Sequence, residues 1–325
     1  MRILVTGSAG HLGDGLVREF RRDGHDVTGL DVLPSATTDV VASVTDRDAV
    51  RAAMSGINAV VHSATLHKPH ISSHSRADFI DVNLTGTLVP LEEAVAAGVS
   101  RFVFLSSTSA FGRALRPALG EPAAWVTEQV VPIPRNIYGA TKVAAEDLCE
   151  LIARDHGMPV VVLRASRFFP EDDDEADRRE GFHPLNLKVN ELLYRRVDLA
   201  DLVEVCRLAL ERAPALGFGR YIVSATTPFS QTEVVAVRRD LPAVVARRYP
   251  HFPEIYAERG WRMLDGIGRV YVNEAARRDL GWEPRFTFGH ALERLAAGQD
   301  PRSDLALSIG AKGYHEGSHG VYTTR

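Results

Sequence analysis

The sequence predicts an α/β protein of the doubly wound type, in which helices cover both faces of a parallel sheet. Three observations predict this fold: short apolar runs alternate with helical patterns, a glycine-rich segment follows the first run, and an aspartate ends the second. Such alternation is typical of right-handed crossovers between parallel strands. We therefore expect a sheet whose strands end along one ligand-binding edge.

The predicted elements follow the chain in the order that such a sheet requires. Runs rich in valine, isoleucine and leucine predict strands at 2–6, 26–31, 40–44, 59–64, 101–106 and 160–165. Helical periodicity predicts helices at 12–22, 46–54, 76–97 and 137–156. Their spacing indicates a Rossmann-type fold. The chain then continues with a predicted helix at 197–212, a strand at 220–224 and an amphipathic stretch at 231–249.

These elements divide the chain into a dinucleotide-binding domain and a smaller lobe. Residues 1–166 form the predicted Rossmann domain, and residues 195–224 are expected to return to it. Residues 167–194 and 225–325 form the predicted C-terminal α/β substrate-binding lobe, which ends in an arm. A substrate would then lie in the cleft between the two parts.

Composition narrows the classes of function. The chain has 325 residues, 45% hydrophobic content and a net charge of −4, which is typical of an ordinary soluble globular protein. Neither a basic surplus nor a long apolar run is present, so we expect no nucleic-acid partner and no membrane partner. Two cysteines, Cys149 and Cys206, cannot form a disulfide framework, and we expect a cytoplasmic protein.

The glycine-rich segment predicts a dinucleotide site. It lies between the first strand and the first helix, where glycines allow a sharp turn and bring backbone N–H groups to a pyrophosphate. The alternative is a tight turn that binds no ligand. The residues of this segment predicted to contact the cofactor are Gly7, Ala9, Gly10, His11, Leu12 and Gly13.

Asp31 favours the dinucleotide interpretation and specifies the cofactor. It ends the second strand about 20 residues after the glycines, where a carboxylate can accept both ribose hydroxyls of an adenosine. Its charge would repel a 2′-phosphate, and no arginine follows it, so we predict NAD rather than NADP. Taken alone, Asp31 could equally be a turn residue at a strand end.

Tyr138 and Lys142 are candidate catalytic residues. A spacing of four places them on the same face of a helix, where an ammonium can lower the pKa of a phenol. The alternative is a buried structural phenol beside a solvated lysine. Only 4 of the 38 basic residues are lysines, so Lys142 is not readily explained as general surface charge. Arginine would not titrate in the same way.

Ser107 is the third catalytic candidate. It ends an apolar strand at the edge of the sheet where ligands of open α/β sheets bind. A hydroxyl there could align a substrate alcohol or carbonyl with Tyr138. The alternative is that Ser107 and its polar neighbours only turn the chain at the strand end.

At this point the chain resembles the extended short-chain dehydrogenase/reductase family of NAD-dependent epimerases and dehydratases. The resemblance covers most of residues 1–298. The matching segments are Thr6-Gly7-x-x-Gly10-x-x-Gly13, Asp31, His62-Ser-Ala64, Val82-Asn83, Ser106-Ser107 to Gly112, Tyr138-x-x-x-Lys142, Leu163-Arg-x-Ser-Arg167-Phe-Phe-Pro170, Asp198-x-x-Asp201 and Leu280-Gly-Trp-Glu-Pro284.

The resemblance implies roles for these residues. Tyr138 would be the acid–base residue, Lys142 would tune it and bind the nicotinamide ribose, and Ser107 would be the hydroxyl partner. Ser63 and Ala64 join the expected NAD contacts. Tyr138 would take a proton from a substrate hydroxyl as the carbon below it gives hydride to the nicotinamide. Return of the hydride makes an epimerase, and release of the ketone makes a dehydrogenase.

Two departures from the family pattern concern the substrate. Thr108-Ser109 follows Ser107 where family dehydratases have Asp-Glu, which argues against a 4,6-dehydratase. Arg167 replaces the usual asparagine. Only about two dozen residues separate Phe168-Phe-Pro170 from Arg195-Arg-Val-Asp198, where typical nucleotide-sugar members of the family have a longer segment. The interval begins with the acidic run 171–175, which we expect to point to solvent.

From the resemblance, we predict an epimerase whose substrate is a sugar or a nucleotide sugar. The alternatives are a free sugar acid or small polyol for a dehydrogenase similar to the uronate dehydrogenases, or a catalytically idle cofactor-binding protein. The candidate substrate residues are Thr65, His67, Lys68, Thr108, Arg167 and His183. No metal is predicted: His67, His70 and His74 cluster, but no carboxylate or cysteine stands at ligand spacing. The resemblance also implies a homodimer formed through the helices at 76–97 and 137–156.

Overall fold

The computed structural model describes residues 1–173 and 175–312; Asp174 and residues 313–325 of the predicted arm lie outside the described residues. The strands are β1 (Arg2–Thr6), β2 (Asp26–Asp31), β3 (Val40–Val41), β4 (Ala59–His62), β5 (Arg101–Ser107), β6 (Ala124–Val126), β7 (Val160–Ala165), β8 (Phe218–Val223) and β9 (Arg269–Tyr271). Seven of them form a parallel sheet in the order β3-β2-β1-β4-β5-β7-β8. The order 3-2-1-4-5 with further parallel strands beyond it is that of the Rossmann fold, which confirms the predicted fold class.

Helices cover both faces of this sheet. In chain order, the α-helices of the described residues, including those of the smaller lobe, are α1 (His11–Arg22), α2 (Arg47–Ala53), α3 (Arg76–Ile80), α4 (Gly86–Ala96), α5 (Ile137–His156), α6 (Ala176–Gly181), α7 (Pro184–Glu191), α8 (Leu199–Leu216), α9 (Val234–Arg239), α10 (Leu241–Arg248), α11 (Phe252–Ala257), α12 (Glu274–Leu280), α13 (Phe288–Ala296) and α14 (Asp304–Ile309). None of the described helices is long and apolar enough to cross a bilayer.

Alternating side chains of each strand build two separate cores. In β1, Ile3 and Val5 pack towards α1 and α8, whereas Leu4 packs towards α2, α4 and α5. All three side chains are fully buried. Successive residues of a strand point to opposite faces, and a parallel sheet with helices on both sides buries both of them. Hence the strands read as continuous apolar runs in the sequence.

A further core forms the smaller lobe. It joins α7 and the following turn to helices α9, α10, α11 and α13, and its largest fully buried side chain is Phe288. The short parallel pair β6 and β9 lies beside it. Residues 274–282 and 304–309 depart from the predicted division, because Leu280, Trp282 and Ile309 pack with α1 and α8 on the Rossmann sheet.

Two predicted elements differ in the structure. The predicted strand 40–44 is only two residues long, because Ala42 and the residues after it turn into α2. The predicted helix 76–97 is not continuous: a π-helical turn at Asp81–Thr85 separates α3 from α4. Helical periodicity cannot reveal such a turn, since the residues on either side keep a helical pattern. Single π turns occur frequently at functional sites.

Candidate active site

The glycine segment between β1 and α1 is closely packed and leaves no room for side chains. Gly7 has a φ of 75°, which L side chains rarely adopt, and a Cβ there would lie 2.7 Å from the Ala64 nitrogen. A Cβ on Gly13 would lie 1.9 Å from the Gly7 oxygen. The first turn of α1 therefore touches the loop directly, and the loop lies at the N-terminal end of the helix, where an anion is stabilised.

The residues around these glycines support the same site. The Ala9 N–H donates to Asp31 Oδ2 at 3.0 Å, and the Leu33 N–H donates to Asp31 Oδ1 at 2.9 Å. Ser63 Oγ donates to the Thr6 carbonyl at 2.7 Å, which fixes the end of β4 beside β1. His11 and Leu12 open α1, and Leu12 packs into the core. The loop, the helix N-terminus and the Asp31 carboxylate fit a dinucleotide.

Tyr138, Ser107 and Lys142 come together in one cleft. Asn136 begins α5 by accepting a hydrogen bond from the Gly139 N–H at 2.9 Å, so Tyr138 lies in the first turn and Lys142 one turn later. Ser107 ends β5 and lines the same cleft as Tyr138, and its Oγ accepts from the Ser109 N–H at 3.1 Å. Burial raises the pKa of Tyr138 to about 12, and the nearby Ser107 hydroxyl opposes the rise. In the chain alone the phenol is thus protonated, rather than having the lowered pKa that the sequence predicts.

Lys142 is held beneath Tyr138 and is 2% exposed. Its Nζ donates to the Leu105 carbonyl at 2.9 Å and lies 4.8 Å from the centre of the Phe104 ring. Burial lowers the pKa of Lys142 to about 7, against a smaller opposing effect of Glu146. The ammonium is therefore positioned by the backbone and titrates near neutrality.

The lowered pKa of Lys142 predicts a pH dependence of stability. Between about 7 and the ordinary value of 10.5, the unfolded chain carries a proton on Lys142 that the folded chain has lost. The contribution of Lys142 to the free energy of unfolding should therefore rise with pH in this window, by at most about 1.4 kcal/mol per pH unit. Urea unfolding of the coenzyme-free wild type and of Lys142→Met at several pH values measures it. A difference between the two proteins that is constant from pH 7 to 10 contradicts the assignment.

Asn83 fixes the backbone of the site from the π-helical turn. Its Oδ1 accepts from the Leu66 N–H at 2.7 Å and from Thr65 Oγ1 at 2.9 Å. Its Nδ2 donates to the Leu66 carbonyl at 3.1 Å and to Thr141 Oγ1 at 3.0 Å. One buried amide thus connects the loop after β4 to the helix that carries Tyr138 and Lys142.

The cleft above these residues has a volume of about 560 Å³. Five of the six predicted substrate residues line it, namely Thr65, His67, Lys68, Thr108 and Arg167. The His67 ring lies 6.2 Å from the Tyr138 ring, and burial lowers the pKa of His67 well below its ordinary value, so it is neutral at pH 7. Burial also lowers the pKa of Lys68, to about 8.

His183 is the exception among the predicted substrate residues. It precedes α7, where its Nδ1 accepts from the Leu185 N–H at 3.2 Å, and its ring stacks on Trp261 at 6.1 Å. It is exposed and does not line the cleft. We therefore remove His183 from the substrate-contact residues.

The acidic run 171–175 was expected to point to solvent, and this expectation is wrong for Asp173. Asp173 is buried and accepts from Arg195 at 2.8 Å, and its carboxylate lies 3.5 Å from Arg167. Glu191 lies between Arg167, Arg195 and Arg196, and these three charges overcome burial and depress its pKa. The carboxylates of Asp173 and Glu191 are buried because guanidinium groups surround them. Sequence alone could not predict this pairing.

Several residues that line the cleft were not predicted from the sequence. Seven arginines line the cleft, against a single carboxylate, Glu175. Four of the seven come from separate stretches with no shared motif: Arg116, Arg135, Arg238 and Arg269. Most basic residues of this chain are arginines, so no local signal distinguishes these four from surface charge.

Comparison with known proteins identifies the family to which this chain belongs. The family model described as NAD dependent epimerase/dehydratase family matches residues 3–191. The chain belongs to this family. The membership confirms the resemblance stated above and supports the predicted coenzyme, NAD. The residues that contact the coenzyme stay predictions, as does the homodimer.

Proteins similar to this chain are named for different substrates. The 3-beta-hydroxysteroid dehydrogenase of Mycolicibacterium neoaurum is 27% identical, with 96% of this chain and 94% of that protein covered. The L-arabinose 1-dehydrogenase (NAD(P)(+)) of Haloferax volcanii is 34% identical over 55% of this chain and 73% of that protein. A crystal structure of a short-chain dehydrogenase/reductase superfamily protein from Agrobacterium tumefaciens with bound NAD has a TM-score of 0.66. It is 27% identical and covers 91% of this chain and 96% of that one.

Proposed function

We propose that this protein oxidises a hydroxyl group of a carbohydrate by hydride transfer to NAD⁺. The observation that carries the proposal is the cleft that Ser107 and Tyr138 line together with the buried Lys142. A steroid is apolar over most of its surface, whereas hydroxyl groups and seven arginines are among the groups that line this cleft, beside apolar side chains such as Leu105 and Phe168. Burying a guanidinium against a sterol would cost free energy without a compensating hydrogen bond. A polyhydroxylated substrate fits the lining better.

The chain's own residues supply the proton transfer in this proposal. Ser107 orients the substrate oxygen by a hydrogen bond, and the Tyr138 oxygen takes its proton. When bound, NAD⁺ supplies the hydride acceptor and a positive charge that favours the phenolate. The Lys142 ammonium, fixed by the Leu105 carbonyl, stabilises the same anion. The glycine segment and Asp31 would hold the pyrophosphate and the adenosine ribose.

The fate of the hydride distinguishes two outcomes of this half-reaction. Its return to the other face of a retained ketone gives an epimerase, the outcome that we favour for a sugar or nucleotide sugar. Release of the ketone gives a dehydrogenase of a free sugar acid or polyol. A catalytically idle protein would not need to keep Ser107, Tyr138 and Lys142 together at one cleft.

A substrate panel tests the proposal. The purified protein is mixed with NAD⁺ and with uronic acids, aldoses, nucleotide sugars and a 3β-hydroxysteroid. Reduced nicotinamide is followed by absorbance, and product configuration by NMR. Net reduction with a carbohydrate identifies a dehydrogenase, and isomerisation without net reduction identifies an epimerase. Turnover of the steroid alone would contradict the proposal.

We further propose that Asp31 sets the preference for NAD⁺ over NADP⁺. Asp31→Asn removes the charge at nearly constant size, so it should weaken NAD⁺ binding by about tenfold or more, as expected for a lost charge-assisted hydrogen bond. NADP⁺ should bind better, since no carboxylate repels its 2′-phosphate. The KM values for both coenzymes measure the change. Asp26→Asn, at the exposed opposite end of β2, is the matched control. Unchanged discrimination in Asp31→Asn would refute the role.

A further inference from the structure

Glu146 is a buried carboxylate one helical turn beyond Lys142, and no step of the proposed reaction uses it. Tyr138, Lys142 and Glu146 follow one another along one side of α5, each one turn after the last. Glu146 is 1% exposed. A glutamate is almost never buried to this degree unless it is paired, because an ionised carboxylate loses its hydration. The partners of Glu146 therefore show what holds its charge in place.

Side chains from three neighbouring strands hold the Glu146 carboxylate. On β7, Arg164 donates from Nη2 to Oε2 at 2.7 Å and from Nε to both carboxylate oxygens at 3.1 Å. On β5, Ser106 donates from its hydroxyl to Oε1 at 2.5 Å. On β8, Arg220 Nε lies 3.5 Å from Oε2. The carboxylate is thus fixed between α5 and the ends of the strands, beside the residue that precedes Ser107.

Arg164 depends on the same pairing, because it is buried as well. Its guanidinium lies 4.8 Å from the centre of the Phe111 ring, and its Nη1 is buried without a hydrogen-bond partner. Removal of one partner of a buried ion pair leaves the other charge uncompensated. Loss of the Glu146 charge would therefore do two things near Lys142: it would remove a negative charge and expose the positive charge of Arg164. Both changes disfavour an ammonium.

The Lys142 ammonium is the charge at the site on which Glu146 can act. Burial lowers the pKa of Lys142 to about 7, and the Glu146 charge opposes the fall. Burial keeps the other titratable side chains around Lys142 uncharged near pH 7, since it lowers the pKa of two histidines and raises that of a tyrosine and a cysteine: His62 on β4, His67 in the loop after β4, and Tyr138 and Cys149 on α5. Of these groups, Glu146 carries the negative charge.

We propose that Glu146 is a positioning residue of the active site, whose buried negative charge keeps Lys142 protonated beside Tyr138 at neutral pH. The inference rests on the proposed function, in which Lys142 acts as an ammonium that stabilises the Tyr138 phenolate. Opposite charges one helical turn apart attract each other, and more strongly where water is excluded. The alternative is an ion pair with Arg164 that only holds α5 against β7. Both roles predict a loss of stability on replacement of Glu146, but only the first predicts a change in the protonation of Lys142.

NMR titration of the full chain labelled with ¹³C-lysine tests the proposal, with and without NAD⁺. The chain has four lysines, at positions 68, 142, 188 and 312, so the Lys142 signal is assigned by its absence from Lys142→Met. Without NAD⁺ we expect the Lys142 midpoint near pH 7 in the wild type. Glu146→Gln removes the charge at nearly constant size and should lower the midpoint by at least about one pH unit. Glu146→Asp keeps the charge one methylene further back and should lie between the two.

Glu93→Gln is the matched control. Glu93 is also a buried carboxylate held by two arginines, since it accepts from Arg47 and Arg51, but it lies on α4 and does not line the cleft. Its replacement should lower stability to urea and leave the Lys142 midpoint unchanged. If Glu146→Gln does not fold, Glu146→Asp is compared with Glu93→Asp, and only the former should lower the midpoint.

The outcomes separate the role of Glu146 from the proposed function. Equal Lys142 midpoints in the wild type and Glu146→Gln, or an equal shift in Glu93→Gln, overturn the role of Glu146 and leave the proposed function standing. A lower midpoint in Glu146→Gln without turnover of any carbohydrate supports the effect on Lys142 and overturns the proposed function. Where a carbohydrate is turned over, the alkaline limb of the turnover number should move to lower pH in Glu146→Gln. A limb that stays in place overturns the positioning role.

Discussion

Tyr138→Phe is expected to lower the turnover number by about 10²- to 10⁴-fold, the usual contribution of a positioned acid–base group. The substitution keeps the ring that lies beside His67 and removes only the phenol oxygen. Because the fold and the glycine segment are untouched, NAD⁺ should still bind. Turnover is measured with whichever carbohydrate the substrate panel identifies, and NAD⁺ affinity by calorimetry.

Tyr271→Phe provides the matched control for this substitution. Tyr271 lines the same cleft and is buried to a similar degree, but it lies on β9 rather than beside Ser107. Loss of the Tyr271 hydroxyl should change the KM for the carbohydrate more than it changes the turnover number. If Tyr138→Phe turned over like the wild type, Tyr138 would not be the acid–base residue, and the enzymatic proposal would lose its main support.

Gly13→Ala is expected to weaken NAD⁺ binding and to destabilise the protein. The new Cβ would lie 1.9 Å from the Gly7 oxygen, so either α1 or the loop after β1 must move. Both flank the proposed pyrophosphate site. Overpacking of this kind costs about 1–3 kcal/mol, which corresponds to roughly 5- to 150-fold in affinity if the displacement is felt at the site. Calorimetry with NAD⁺ and thermal unfolding measure the two effects.

Gly15→Ala, two residues further along α1, is the control. A Cβ there would meet the nearest atom of Val203 at 3.4 Å, an ordinary contact, and alanine favours a helix over glycine. This variant should bind NAD⁺ as the wild type does and should be at least as stable. Equal NAD⁺ affinities for Gly13→Ala and Gly15→Ala would show that the contact between α1 and the loop does not shape the coenzyme site.

The parts of the fold that depend on local sequence were predictable. The bounds of β1, β2, β7 and α5 agree with the prediction, because each is a buried apolar run or a capped helical pattern. Tyr138 and Lys142 could be placed together since four residues make about one helical turn. Asp31 could be placed beside the glycine segment because neighbouring parallel strands end at the same edge.

Features that depend on long-range pairing were not predictable. The acidic residue Asp173 is buried only because Arg195, 22 positions later, folds back onto it. The cleft brings together Arg116, Arg135 and Arg269 through the Gly112–Ile133 bridge and the β6–β9 pair, and neither pairing has a pattern in the sequence. The protonated state of Tyr138 follows from burial, which spacing cannot reveal.

The π-helical turn at Asp81–Thr85 also limits how this chain can change in length. Relative to an α-helical turn it contains one additional residue, so deletion of a single residue there would restore a regular helix and rotate α4 by about 100° about its axis. Val89 and Leu91 would then leave the sheet, and the amide of Asn83 would no longer reach the loop after β4. We expect natural insertions and deletions to spare this turn and to accumulate in the exposed loop around Leu119.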